Sequence, residues 1–228
     1  RKIMKNNAQI WEERYNKRDV VNRYPHEDVI GFMLRNYKAD KDKVKVLDLG
    51  CGTGNNLVFL AKEGYDYYGI DYSHSAIQIV SETFDYFSLK LKKNRLYNSS
   101  FKELPFQDDF FDVVIDRQSV GQNNYNDIQI IINETNRVLK NNGKYFGVNF
   151  SDRSSEMVYG NRIGVNQYNN FKKGRFKGIG ERHFFNYDEI LTLFSRFKIL
   201  DITTRTENFF YNRELGAEEI VVVAQKDR

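Results

Sequence analysis

The run Val46-Leu47-Asp48-Leu49-Gly50-Cys51-Gly52-Thr53-Gly54-Asn55-Asn56 constrains this chain more than any other segment. It leaves a short apolar stretch over 44–49, bounded by lysines and glycines, and enters a helical pattern over 55–63 that stops at Gly64. Glycines at alternate positions let the backbone approach a ligand closely and adopt angles that side chains forbid. The helix N-terminus behind them favours negative groups. A nicotinamide fingerprint would read Gly-x-Gly-x-x-Gly, its third glycine allowing close helix–strand packing. Here the glycines are Gly50, Gly52 and Gly54, and Asn55 stands where that third glycine belongs. Asp48 precedes the loop; a carboxylate there opposes a pyrophosphate but suits an ammonium group.

Strands and helices alternate around this loop. Helical spacing predicts helices over 9–18 and 26–37, the second with Pro25 at its start. Strands are expected over 44–49, 67–70, 95–99, 110–115 and 144–150. The intervening helices span 55–63, 73–84 and 127–139, with Ser73 as an N-cap and Asn142-Gly143 as a C-terminal stop. A helix over 187–197 opens at Asn186. The final strands, 199–205 and 218–224, are joined by a loop too short for a crossover helix and so pair antiparallel, whereas the earlier strands must be parallel. The expected fold is α/β: a doubly wound, seven-stranded mixed sheet with helices on both faces and its last strand antiparallel.

Asp71 ends the second strand, 21 residues after Gly50, where a carboxylate accepts hydrogen bonds from ribose hydroxyls. Tyr72 follows and offers a face for a purine. With these residues the sequence resembles the class I S-adenosylmethionine-dependent methyltransferases, a Rossmann-like family. The glycine loop matches the family's first motif, and Gly69-Ile70-Asp71-Tyr72-Ser73 its second. Leu104-Pro105-Phe106-Gln107-Asp108-Asp109-Phe110-Phe111-Asp112-Val113-Val114 resembles the run into its fourth strand. The likeness covers 44–150.

The resemblance implies S-adenosylmethionine as cofactor, S-adenosylhomocysteine as product and no metal. Asp48, Gly50, Cys51, Gly52, Thr53, Gly54, Asn55 and Asn56 would hold the methionine part. Asp71 would bind the ribose, with Tyr72 and Ser73 beside it. Ser100 and Phe101 fall where many members present an acid to the adenine amine, and that acid is missing here. Cys51 fills a small-residue slot and is not expected to be a nucleophile. Asp116-Arg117-Gln118-Ser119 follows the fourth strand and should lie beside the sulfonium, with Asp116 a catalytic candidate that orients cofactor or acceptor, Arg117 a cofactor contact able to hold an anion, and Gln118 contacting the acceptor. Asn/Asp-Pro-Pro-aromatic, common at this place in enzymes that methylate bases, is absent.

The domain is read as N-terminal helices covering the cofactor site (1–40), a cofactor-binding core (44–150), an inserted acceptor lid (151–185) and a C-terminal helix with the closing strand pair (186–228). Tyr15 is expected to meet the cofactor and Tyr24 the acceptor. The lid candidate supplies Tyr159, Arg162, Tyr168 and Arg182, a lining suited to a polar or anionic small molecule such as a sugar, nucleotide-linked or phosphoramidate precursor of surface polysaccharide. His183 is the candidate general base.

Charge bears on the acceptor. The chain is +4 overall, and 151–180 alone carries that excess through Arg153, Arg162, Lys172, Lys173, Arg175 and Lys177 against Asp152 and Glu156. An RNA methyltransferase using this segment as a phosphate contact is the alternative, and a non-catalytic cofactor-binding protein a third reading. No appended nucleic-acid-binding fold is seen, so nucleic acid is disfavoured as partner. One cysteine excludes an intramolecular disulfide, and no apolar run reaches membrane-spanning length, so a cytoplasmic enzyme without membrane contact is expected.

Overall fold

A computed structural model describes residues 6–209 and 214–227. Helix α1 (Asn7–Asn16) begins two residues earlier than helical spacing suggests, because Asn6 and Gln9 form a reciprocal capping box; Arg18, at φ +61°, turns the chain after it. Helix α2 (Glu27–Asn36) buries Val29, Phe32 and Met33. Strand β1 (Lys45–Leu49) leads through the glycine loop to α3 (Asn55–Lys62), followed by β2 (Asp66–Asp71) and α4 (His74–Tyr86). Ser73 caps α4, its Oγ accepting from the Ala76 N–H at 3.0 Å. Short β3 (Leu96–Asn98), β4 (Phe111–Arg117) and α5 (Tyr125–Val138) come next. Strand β5 (Leu139–Phe150) starts at once after α5. Asn142, at φ +64°, therefore belongs to an irregularity within β5 and not to the helix end.

Residues 151–185 hold a small antiparallel sheet of β6 (Asn161–Gly164), β7 (Gln167–Asn169) and β8 (Arg182–His183). Then come α6 (Tyr187–Leu193), β9 (Phe197–Phe209) and β10 (Glu214–Lys226). Asn186 and Glu189 form a second capping box at α6. The main sheet has seven strands in the order β3-β2-β1-β4-β5-β10-β9. Only β10 runs antiparallel to its neighbours, β5 and β9.

Two apolar cores flank this sheet. Leu47, Leu49, Ile70 and Val114 face α5 and α6 residues such as Ile131 and Ile190. Val46, Val113 and Ile115 face Met33, Leu57 and Val80 on the other side. A third cluster, with Phe150, Phe171, Phe176 and Phe184, welds 151–185 to the end of β5, and Trp11 of α1 packs against it. The order of strands reverses between β1 and β4, which opens a crevice at their carboxyl ends.

Candidate active site

The crevice is a cavity of about 1100 Å³, walled by the glycine loop, α1, the turns after β2, β3 and β4, and the segment before β8. Gly50, Gly52 and Gly54 all have positive φ, which the loop's path requires. The Gly50 and Cys51 N–H groups both donate to the Ile70 carbonyl, at 2.9 and 3.0 Å, tying the loop to β2. Asp71 completes the corner: Oδ2 accepts from the Gly52 N–H and Oδ1 from the Ser73 N–H, each at 2.9 Å. Burial pushes its carboxyl up to about 6. Asp71 and Tyr72 line the cavity, with Phe101 packed on Tyr72 at 4.2 Å between ring centroids.

Of the other cofactor candidates, Gly50, Cys51, Gly52, Thr53, Asn55, Asn56, Tyr15 and Arg117 line the cavity. Asp48, Gly54, Ser73, Ser100 and Asp116 do not. Asp48 is buried beneath the loop, where desolvation pushes its carboxyl up to about 7, partly offset by a hydrogen bond from Asn56. Ser73 is occupied by capping and by Glu12, and Ser100 by the Lys102 N–H. Clearance between the loop and α1 is limited to glycine: a Cβ at Gly52 would lie 2.9 Å from the Tyr15 hydroxyl. The buried Cys51 thiol is pushed up well above its ordinary range, in keeping with a packing role.

Helix α1 is strapped over this loop. Glu12 accepts hydrogen bonds from the Ser73 and Ser75 hydroxyls, both at 2.6 Å. Asn7 donates to the carbonyls of Gln122 and Glu181 and accepts from the Glu181 N–H. The connector to α2 is laced to the loop as well: Thr53 Oγ1 donates to the Asn22 carbonyl at 2.6 Å, and Asn55 to the Tyr24 carbonyl at 3.1 Å. Tyr24 contributes through this backbone contact; its ring is 62% exposed and lies outside the cavity.

Both residues expected to be catalytic are structural. Asp116 is fully buried and saturated, accepting from the Ser119 and Val120 N–H groups, Tyr145 Oη and Asn149 Nδ2. It caps the turn that presents Arg117 and Gln118. His183 is also fully buried and off the cavity, its Nδ1 2.9 Å from Gln167 Oε1 and its Nε2 3.2 Å from Glu189 Oε2. A ring so enclosed reaches no acceptor, so the general-base assignment is withdrawn.

The acceptor candidates separate. Gln118 and Arg182 line the cavity. Tyr159 is turned to Lys173, Tyr168 packs edge-on against Phe184, and Arg162 is exposed, its Nε donating to the Gly164 carbonyl. Lys172, Lys173 and Lys177 are exposed and do not line the cavity, while Arg175 is paired with Glu156 and Glu207. Arg117 is bound on two sides, Nε 3.2 Å from Asp28 and Nη2 2.9 Å from Glu219. His26 also lines the cavity, its pKa lowered by burial and by Arg117. Sequence reading gave His26 no site role, since its packing against Asn56 and Arg117 joins segments far apart in the chain. Several buried polar atoms on the wall lack partners: Trp11 Nε1, Gln122 Oε1, Asn169 Oδ1, Arg117 Nη1, and Nε and Nη1 of Arg182. Among the described residues there is no cluster of three or more metal-type ligands, and no helix is long and apolar enough to cross a membrane.

A family model described as a methyltransferase domain matches residues 40–175. The chain belongs to that family, and its fold is that of the S-adenosylmethionine-dependent class I enzymes. It is 30% identical over 128 residues to a ubiquinone biosynthesis O-methyltransferase of Pelagibacter ubique, covering 54% of this chain and 50% of that protein. It is 32% identical over 103 residues to a demethylmenaquinone methyltransferase of Bacillus mycoides, covering 44% and 42%. The chain thus spans about half the length of the curated relatives it matches. A Methanosarcina mazei S-adenosylmethionine-dependent methyltransferase superposes with a TM-score of 0.67 at 22% identity, covering 86% of this chain and 97% of that one. A Burkholderia thailandensis 1,6-didemethyltoxoflavin N1-methyltransferase, solved with its substrate and S-adenosylhomocysteine, gives 0.69 at 13% identity, covering 97% and 87%.

Proposed function

We propose that this protein transfers the methyl group of S-adenosylmethionine to an oxygen or nitrogen of a polar, negatively charged small molecule. The observation that carries the reading is the set of unpartnered polar atoms on the cavity wall, above all those of Arg182. Buried polar groups are costly unless hydrogen-bonded, so a ligand that satisfies them gains affinity and orientation. In this reading Asp71 takes the ribose hydroxyls, Tyr72 and Phe101 flank the adenine, and the loop and Tyr15 receive the methionine part. Residues 151–185 act as the acceptor lid. The two quinone methyltransferases and the toxoflavin enzyme, named for small-molecule acceptors, support this class over nucleic acid.

Methyl transfer is an in-line displacement, and holding the two reactants in line supplies much of the rate. Arg117, fixed by Asp28 and Glu219, and Gln118, whose Nε2 donates to Glu219 at 2.8 Å, form a rigid edge beside the path. The test is thermal unfolding with S-adenosylmethionine, S-adenosylhomocysteine and NAD in parallel. Ligand at about 100 times its dissociation constant adds about 2.7 kcal/mol. For a domain of this size that raises Tm by about 5–10 °C. The rise is expected with both adenosyl ligands and not with NAD; no rise with either refutes the proposal.

A further inference from the structure

We infer that the cavity contains a carboxylate-binding subsite built on Arg182, which anchors the acceptor through a monoanionic carboxylate carried on an apolar body. The inference rests on the methyltransferase reading and narrows its substrate class. Arg182 opens β8, and its guanidinium lies over two aromatic faces, 4.9 Å from the Phe150 centroid and 5.1 Å from that of Phe176. Those rings stand at 83° to each other, so the guanidinium occupies a fixed corner. The residue is 3% exposed, and neither Nε nor Nη1 has a hydrogen-bond partner.

Charge decides what is missing. Arg117 has Asp28 and Glu219, Arg205 shares Asp28, and Arg175 has Glu156 and Glu207. Among the described residues no carboxylate pairs with Arg182. Burial pulls its pKa down to about 9, partly offset by the field of the buried Asp116 carboxylate, so it remains cationic at neutral pH, a charge with no directly paired counter-ion in an apolar wall. Asp116 is already saturated by four hydrogen bonds, so among the described residues none is left to pair directly with the guanidinium, and a bound anion fills that place.

The surroundings select the kind of anion. One unbalanced cation matches one negative charge; a phosphate dianion would leave a second charge unmatched among aromatic rings. A carboxylate is planar and suits the guanidinium fork. Trp11, Phe171 and Ile179 line the cavity and belong to the aromatic cluster in which Arg182 is set, so the body attached to the carboxylate meets an apolar surface. The unpartnered Asn169 Oδ1 offers an acceptor for a hydroxyl or amine on that body.

Benzoate is the simplest probe, with benzamide as its neutral isostere and inorganic phosphate as the competing anion. Each is titrated calorimetrically into the full chain saturated with S-adenosylhomocysteine, as wild type, Arg182→Met and Arg182→Lys. Benzoate is expected to bind, benzamide at least tenfold more weakly and phosphate more weakly than benzoate. Arg182→Met should weaken benzoate at least tenfold while changing S-adenosylhomocysteine affinity less than threefold. If the Met variant fails to fold, Arg182→Lys, which keeps the charge but loses the fork, should weaken benzoate at least threefold at constant cofactor affinity. Cofactor binding without benzoate binding, or phosphate outcompeting benzoate, overturns the subsite alone. So does an equal loss of cofactor affinity in Arg182→Met, which would assign the guanidinium to the cofactor's own carboxylate. A wild type that binds neither cofactor product nor benzoate overturns the methyltransferase reading and the subsite with it.

Discussion

At the residue scale, the glycine loop separates conformational strain from contact. Gly52 and Gly64 both have positive φ, +52° and +87°, but only at Gly52 does an added Cβ meet another group, the Tyr15 hydroxyl; at Gly64 nothing lies within 4 Å. Alanine in the left-handed region costs about 1–2 kcal/mol. Gly52→Ala and Gly64→Ala should therefore both lower Tm by about 2–8 °C. Only Gly52→Ala should also weaken S-adenosylhomocysteine binding, by more than tenfold in calorimetry. Asp71→Asn should weaken it by about 10–100-fold, since hydrogen bonds to a charged group are worth about 1.5–3 kcal/mol. These positions were legible because glycine and a strand-terminal carboxylate report on local backbone demands. His183 and Asp116 misled for the opposite reason: their partners Gln167, Glu189, Tyr145 and Asn149 come from other elements, and no local spacing reveals them. Of the acceptor candidates, Arg182 and Gln118 line the cavity while Tyr159, Arg162 and Tyr168 do not, because in a short polar hairpin sequence does not say which face turns inward.

At the element scale, apolar runs and capping residues mark the main strands and helices, whereas in sequence 151–185 reads as an inserted lid with a basic stretch and shows no sign of its small sheet. Its strands are two to four residues long and β6 is wholly exposed, so no alternation of apolar and polar residues develops. Helix α1 lies against the glycine loop through identifiable fastenings. It contains no fully buried residue and is held by side-chain hydrogen bonds from Asn7 and Glu12, together with the exposed Arg18–Glu82 pair that follows it. Exposed ion pairs contribute little, so beside the packing of Trp11 against the aromatic cluster, Asn7 and Glu12 are the effective polar fastenings. Asn7→Ala combined with Glu12→Gln should leave global Tm within about 3 °C, yet speed amide exchange in α1. Cofactor dissociation should quicken about tenfold, from bonds of about 1 kcal/mol each, in stopped-flow release experiments. Unchanged release would mean that α1 does not close the cavity.

At the scale of the whole molecule, the topology was readable because short loops and crossover helices leave few choices: parallel strands followed by a pair too closely linked for a crossover. What the chain's order could not convey is that two buried carboxylates have raised pKa here, Asp71 on the crevice wall to about 6 and Asp48 beneath the glycine loop to about 7. Both titrate near 4 when unfolded. Between those values the native state binds more protons than the unfolded state, so stability falls as pH rises from about 4 to about 7. The ligand-free protein therefore carries destabilising buried charge at and beneath its site at pH 7.5, and in the proposed function the cofactor's ammonium in the cavity offsets that charge across the loop. Asp48→Asn removes the ionisable group while keeping its shape. In urea unfolding at pH 7.5, ligand-free Asp48→Asn should be more stable than wild type by about 1–3 kcal/mol, and the gap should shrink at pH 5, where wild-type Asp48 is protonated. The stabilisation conferred by S-adenosylhomocysteine on the wild type should grow over the same interval and grow less in the variant. A variant less stable than wild type at both pH values would show that the Asp48 carboxylate is a net support of the fold, and that its retention needs no ligand to explain it.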